Sequence, residues 1–157
     1  MCINIVQKGF LLRGAIVVDK VYHTKEKIFG PALIKAYKME KNTAIFPRVI
    51  IDQNFFNEAK KYYSRFSNSD AEYKSLENLT LKDFDGFSYI NYFEILEFGV
   101  IHSLEEKKNY LNDLRKIIEE MHKKDDNSLK CKYLWIKEKY DIAYANFEEK
   151  YSKDDTR

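Results

Sequence analysis

Residues 10–52, FLLRGAIVVDKVYHTKEKIFGPALIKAYKMEKNTAIFPRVIID, hold the pattern that decides the fold. Leu11 to Tyr22 is rich in Ile and Val without strict alternation, which predicts a strand buried on both faces. The polar segment His23–Lys27 predicts a loop or hairpin turn. Pro31 then falls where proline is tolerated, in the first turn of a helix running to about Lys41. Leu33, Ala36, Tyr37 and Glu40 follow at helical spacing. Phe46–Asp52 predicts a second strand, with Pro47 near its start where a missing N–H is least disruptive. The order is strand, helix, strand.

Ile3 to Phe10 reads as the last turns of a helix stopped by a C-terminal cap at Gly9. Asn54 to Phe66 returns to the helical period through Phe55, Phe56, Ala59, Tyr62, Tyr63 and Phe66. The stretch from Ser67 to Asn78 is polar and reads as a linker. Leu81–Tyr92 alternates around Asp85-Gly86 and predicts a β-hairpin. Ser103 with Glu106 forms a capping box that opens a helix carrying Leu104, Leu111, Leu114, Ile118 and Met121. Asp125, Asp126 and Asn127 break that run. A second helix follows, with Leu129, Tyr133, Ile136, Tyr140, Ala143, Phe147 and Tyr151 on one face. Two amphipathic helices joined by a short polar break predict an antiparallel hairpin that buries its aromatic stripe. The tail Ser152–Arg157 is expected to fray. The fold class is therefore α/β (α+β): a partial sheet flanked by helices over residues 1–100, with a C-terminal helical hairpin, 101–157, packed on it.

The 157 residues are 45% hydrophobic and 15% aromatic, enough for a buried core and not the composition of a disordered chain. A formal net charge of +2 gives no electrostatic footprint for nucleic acid or an anionic membrane, so neither is expected as a partner. The charge is uneven: residues 1–52 carry nine Lys/Arg against four Asp/Glu. That cationic first third suits an anionic small ligand, or is simply a solvated face. Cys2 and Cys131 lie far apart with no companion ligands, so neither a disulfide framework nor a zinc site is indicated. The apolar run at Phe10–Val18 is too short to span a bilayer, and the N-terminus lacks a signal-peptide pattern, so a cytoplasmic setting is the expectation.

The segments RGAIVV and IFGPALIKAYKMEKNTAIFPRVIID resemble the second half of a class III nucleotidyl cyclase homology domain. They are most similar to a bacterial subgroup that includes the pyrimidine cyclases of antiphage signalling. The resemblance rests on Arg13-Gly14, Phe29-Gly30-Pro31-Ala32-Leu33, Ala36-Tyr37, Glu40 and Pro47-Arg48. It implies a cyclase-like sheet, a site completed across a dimer interface, and two divalent ions held by two aspartates that precede the region matched here. Asp19 falls where the family has a glycine, so no metal ligand is expected from this chain. Mg or Mn with an NTP would enter only if another chain complemented it.

The resemblance also implies an Asn and an Arg one helical turn apart, which orient the ribose and neutralise phosphate charge. Counted from Gly30, those positions hold Ile34 and Lys38. Ile34 donates no hydrogen bond, and Lys38 keeps the positive charge without the planar fork of Arg. Lys38 is thus the candidate catalytic residue. Arg13, Lys27, Gly30 and Arg48 are candidate ligand-binding residues, Lys27 at the position that helps select the base.

Each has a plainer reading. Arg13 caps a helix or pairs with an acidic residue, and Lys38 is solvated charge. Arg48 pairs with Glu40, and Gly30-Pro31 is an ordinary helix start. His23, His102 and His122 are scattered without partners at catalytic spacing. The expectation is a truncated or divergent cyclase-like protein, not catalytic alone, that binds a partner or a nucleotide or is a gene remnant. The partners expected are a second copy in a homodimer or a complementing cyclase chain. One alternative is half of a split or oligomeric cyclase that makes a cyclic nucleotide signal from an NTP. Another is a non-enzymatic interaction module built on the helical hairpin.

Overall fold

The computed structural model of the protein describes residues 2–63, 69–94, 103–124 and 126–151. In chain order the elements are α1 (Cys2–Val6), β1 (Gly14–Ile16), β2 (Tyr22–His23), β3 (Ile28–Phe29), α2 (Pro31–Asn42) and β4 (Val49–Ile51). They continue with α3 (Gln53–Tyr63), α4 (Ser69–Asn78), β5 (Thr80–Lys82), β6 (Ser88–Ile90), α5 (Leu104–His122) and α6 (Asn127–Tyr151). The chain divides into two compact units, Leu12–Asn91 and the combination of Met1–Leu11 with Tyr92–Arg157.

The unit Leu12–Asn91 is built on a mixed sheet in the order β1-β4-β6-β5. β1 and β4 run parallel, with Gly14 opposite Val49 and Ile16 opposite Ile51. Parallel neighbours need a crossover connection, and α2 lies within it. This is the strand–helix–strand order of residues 10–52. β4 pairs antiparallel with β6, and β6 with β5. Val49, Ile50 and Ile51 are all buried, as expected for an unbroken apolar run in a central strand. The hairpin expected at Asp85-Gly86 is present: Gly86 has φ +84, and the Asp83 N–H donates to the Phe87 carbonyl at 2.9 Å.

Two expectations are corrected here. Leu11–Tyr22 is not one strand buried on both faces. Only Gly14–Ile16 joins the sheet, at its edge and half-buried. Tyr22–His23 pairs instead with Ile28–Phe29 in a separate two-stranded ribbon, whose turn is the polar segment His23–Lys27. Residues 69–78 are not linker but the helix α4. Residues 64–66 of the expected preceding helix, and 67–68 of the expected linker, lie outside the described residues.

In the other unit, α1 ends as its glycine predicts. The Gly9 N–H donates to the Val6 carbonyl and the Phe10 N–H to the Ile5 carbonyl, with Gly9 at φ +83, which is a Schellman cap. Ser103 caps α5 by accepting the Glu106 N–H at 3.1 Å. α5 and α6 are antiparallel. Lys107, early in α5, lies over the Phe147 ring late in α6, and His122 at the end of α5 stacks on Tyr133 near the start of α6. Leu111, Leu114 and Ile118 are buried on one helix, and Ile136, Tyr140, Ala143 and Phe147 on the other, along the stripes that spacing alone marks. Trp135 is buried as well, edge-on to Phe93. The Tyr110 O–H donates to the Tyr92 carbonyl at 2.7 Å, and burial pushes that phenol far above its ordinary range. The tail 152–157 lies outside the described residues, among which no helix is long and apolar enough to cross a membrane.

Candidate functional site

The residues singled out by sequence gather on and around α2. The helix starts where it does because Gly30 takes φ +142, a backbone region that L side chains rarely adopt. A Cβ at that position would lie 2.7 Å from the Lys20 carbonyl oxygen. The Ala32 N–H donates to that same carbonyl at 3.1 Å. Gly30 therefore pins the chain entering β2 against the first turn of α2. Pro31 has no N–H and the Ala32 N–H is taken, so this helix start has few donors left for an anion.

Two ion pairs fix α2 over the parallel strands. Arg13, just before β1, pairs with Glu40. Lys35 donates to Asp52, at the end of β4, at 2.6 Å. The pairing half of the plainer reading of Arg13 thus holds, with the partner expected for Arg48. At 100° per residue, Lys38 lies roughly 160° around the helix from Glu40, so the Arg13 contact and the Lys38 side chain are on nearly opposite sides. Lys38 shares its outward face with Ile34, Tyr37 and Lys41, while Leu33 lies toward the Glu40 side; all are exposed. The Lys41 ammonium sits 5.7 Å from the Tyr37 ring centroid.

Arg48 is fully enclosed. Its guanidinium bridges Asp83 and Asp85, the two carboxylates of the β5–β6 turn, and lies 5.2 Å from the Phe46 ring and 5.8 Å from the Tyr89 ring. The expected Arg48–Glu40 pair is corrected: Glu40 belongs to Arg13, and Arg48 clamps the hairpin turn to the start of β4. Asp83 and Asp85 were missed as its partners. The signal available was two aspartates either side of Phe84, just before the turn glycine, which a buried arginine can bridge.

Lys27 closes the β2–β3 turn through its backbone, with its N–H donating to the Thr24 hydroxyl at 3.1 Å, and its side chain is exposed. Among the candidates, then, Arg13 and Arg48 are held in separate ion pairs, Gly30 does conformational work, and Lys27 and Lys38 point to solvent. Neither lysine has an ion-pair partner among the described residues. A cleft of 410 Å³ beside α3 and α4 is lined by Val18, Phe55, Ala59, Tyr62 and Leu76. Its Lys61 is paired with Glu58, so it offers no cation cluster for a triphosphate.

No three His, Cys, Asp or Glu side chains converge among the described residues. Asp52 is engaged by Lys35, and Asp83 and Asp85 by Arg48. These residues do not fit the divalent ions that the cyclase resemblance implies. Comparison of the chain with protein-family models, characterised proteins and solved structures finds no match.

Proposed function

We propose that this chain is a divergent nucleotidyl-cyclase-like protein that acts by assembling with a second copy of itself or with another protein and has no catalysis of its own. The observation that carries this reading is the dispersal of the candidate site. Arg13 and Arg48 serve separate ion pairs, while Lys38 sits among exposed apolar side chains on the outer face of α2. Catalysis of phosphoryl transfer needs cations aimed together at developing charge. The frame that supports the cyclase-like half of the reading is the parallel β1–α2–β4 unit followed by an antiparallel hairpin.

The test is incubation of the purified full chain with ATP, GTP, CTP and UTP in turn, with Mn²⁺, followed by mass spectrometry for cyclic mononucleotides. No product above a heat-killed control is expected. Cyclic product from the chain alone, lost in Lys38→Met, overturns the proposal.

A second reading, half of an oligomeric cyclase whose metal ligands come from a complementing chain, is favoured by one observation. Lys38 is exposed and has no ion-pair partner among the described residues. It predicts cyclic product only after the complementing chain is added.

A further inference from the structure

Eight apolar side chains of the Leu12–Asn91 unit that a folded chain would ordinarily cover stand open along one stretch of it. On the β2–β3 ribbon and its approach these are Val21, Tyr22, Ile28 and Phe29, between 51% and 57% exposed. On α2 they are Leu33, Ile34 and Tyr37, at 44% to 60%, with Ile45 beyond the helix at 56%. No residue of α2 is buried. The ribbon runs straight into the helix through Gly30, and the Ala32–Lys20 bond ties the two together. Tyr22 and Phe29 already stack, with ring centroids 4.7 Å apart. Ribbon and helix are therefore tied into one stretch, with Tyr22 and Phe29 on one face of the ribbon and Ile28 on the other. Exposed apolar side chains gathered on such a stretch mark an interaction site.

Charge identifies the occupant. Lys20, Lys25, Lys27, Lys38 and Lys41 border this surface, all exposed and none with an ion-pair partner among the described residues. Only Asp19 and Glu26 oppose them, because Glu40 is taken by Arg13 and Asp52 by Lys35. We infer that the β2–β3/α2 surface docks a different protein, one whose contact face is apolar at its centre and acidic at its rim. This rests on the proposal above that the chain works in an assembly, and it names the partner's chemistry. A second copy of this chain is the poorer fit. A two-fold interface sets the patch against itself and so brings two lysine-rich rims together.

The test begins with the full chain carrying the photo-crosslinker p-benzoylphenylalanine at Tyr37 or, as a control, at Tyr144 on α6, in the cells that make the protein. The expected result is one protein adduct from position 37 and none from position 144. The purified partner is then titrated across salt. Affinity should fall about tenfold between low and physiological ionic strength, and about as much again in Lys38→Glu/Lys41→Glu, with charge reversal on the partner restoring it.

The inference is overturned by an adduct formed only with a second copy, by salt-independent affinity, by no adduct at all, or by binding only to vesicles of phosphatidylcholine and phosphatidylserine. The cyclic-nucleotide assay is read separately. Product from the chain alone overturns the functional proposal even where an acidic partner is captured, and a silent assay with a self-adduct overturns only this inference.

Discussion

Two helical regions with the same kind of apolar spacing meet different fates. In α5 and α6, Leu111, Leu114, Ile118, Ile136, Ala143 and Phe147 recur at helical intervals and are buried against one another. In α2, Leu33, Ile34 and Tyr37 recur at similar intervals and stay open. Periodicity says which residues share a face but not whether anything covers it. What covers α5 is α6, a few residues along the chain. The side of α2 that carries the half-exposed Ala32, Ala36 and Met39 is flanked by the Arg13–Glu40 and Lys35–Asp52 pairs, while Ile34 and Tyr37 are turned the other way. One region buries its apolar residues, and the other leaves them open.

The contrast can be broken at several points. The largest effect is expected at the enclosed charge cluster of the Leu12–Asn91 unit. Arg48→Ala leaves Asp83 buried without its cation and should destabilise the protein by about 3–5 kcal/mol in chemical denaturation. A loss under 1 kcal/mol would mean that the clamp is not holding the hairpin. Leu114→Ala, at a fully buried position of α5, should cost about 2–5 kcal/mol through lost burial and the cavity left behind. If Leu114→Ala is silent, the helical pair is not the packed core described above.

A smaller, pH-dependent effect sharpens the picture of that core. Burial, then the nearby Cys2, raises the Tyr110 phenol pKa above its unfolded value of about 10. Below that pH both states hold the proton and the full stability is present. As pH rises beyond it, the unfolded state releases the proton first, so stability falls until the folded-state pKa is reached. Burial shifts Tyr140 in the same direction. Tyr110→Phe should therefore flatten the alkaline decline while costing about 1 kcal/mol at neutral pH for the lost bond to Tyr92. An unchanged alkaline slope would count against a buried phenol.

The parts of this structure legible in sequence are those set by local backbone chemistry. Gly9 ends α1, Pro31 opens α2, Asp85-Gly86 turns the β5–β6 hairpin, and Ser103 with Glu106 starts α5. Each works through groups within a few residues. The parts that were not legible depend on distant partners. Nothing in LLRGAIVVDKVY says that pairing with β4 stops after Ile16, because β4 alone sets that limit. The polar composition of residues 69–78 hides a helix, since Lys74, Leu76 and Glu77 are sound helix formers without a strong apolar stripe.

The site was legible to the same degree. Arg13, Lys27, Gly30, Lys38 and Arg48 were marked by sequence. That Arg48 belongs to Asp83 and Asp85 and Arg13 to Glu40 depended on which segments fold together. The open face of α2 could not be foreseen either, because exposure is a property of the whole fold.

The most direct measurement is the unfolding free energy of Ile34→Gln/Tyr37→Gln, set beside Leu114→Ala in the same protein. If the outer face of α2 is held for association, the double variant unfolds within about 0.5 kcal/mol of the parent while Leu114→Ala loses several times more. A loss in the double variant matching that of Leu114→Ala would show that α2 buries this face in the folded chain, and would contradict the account.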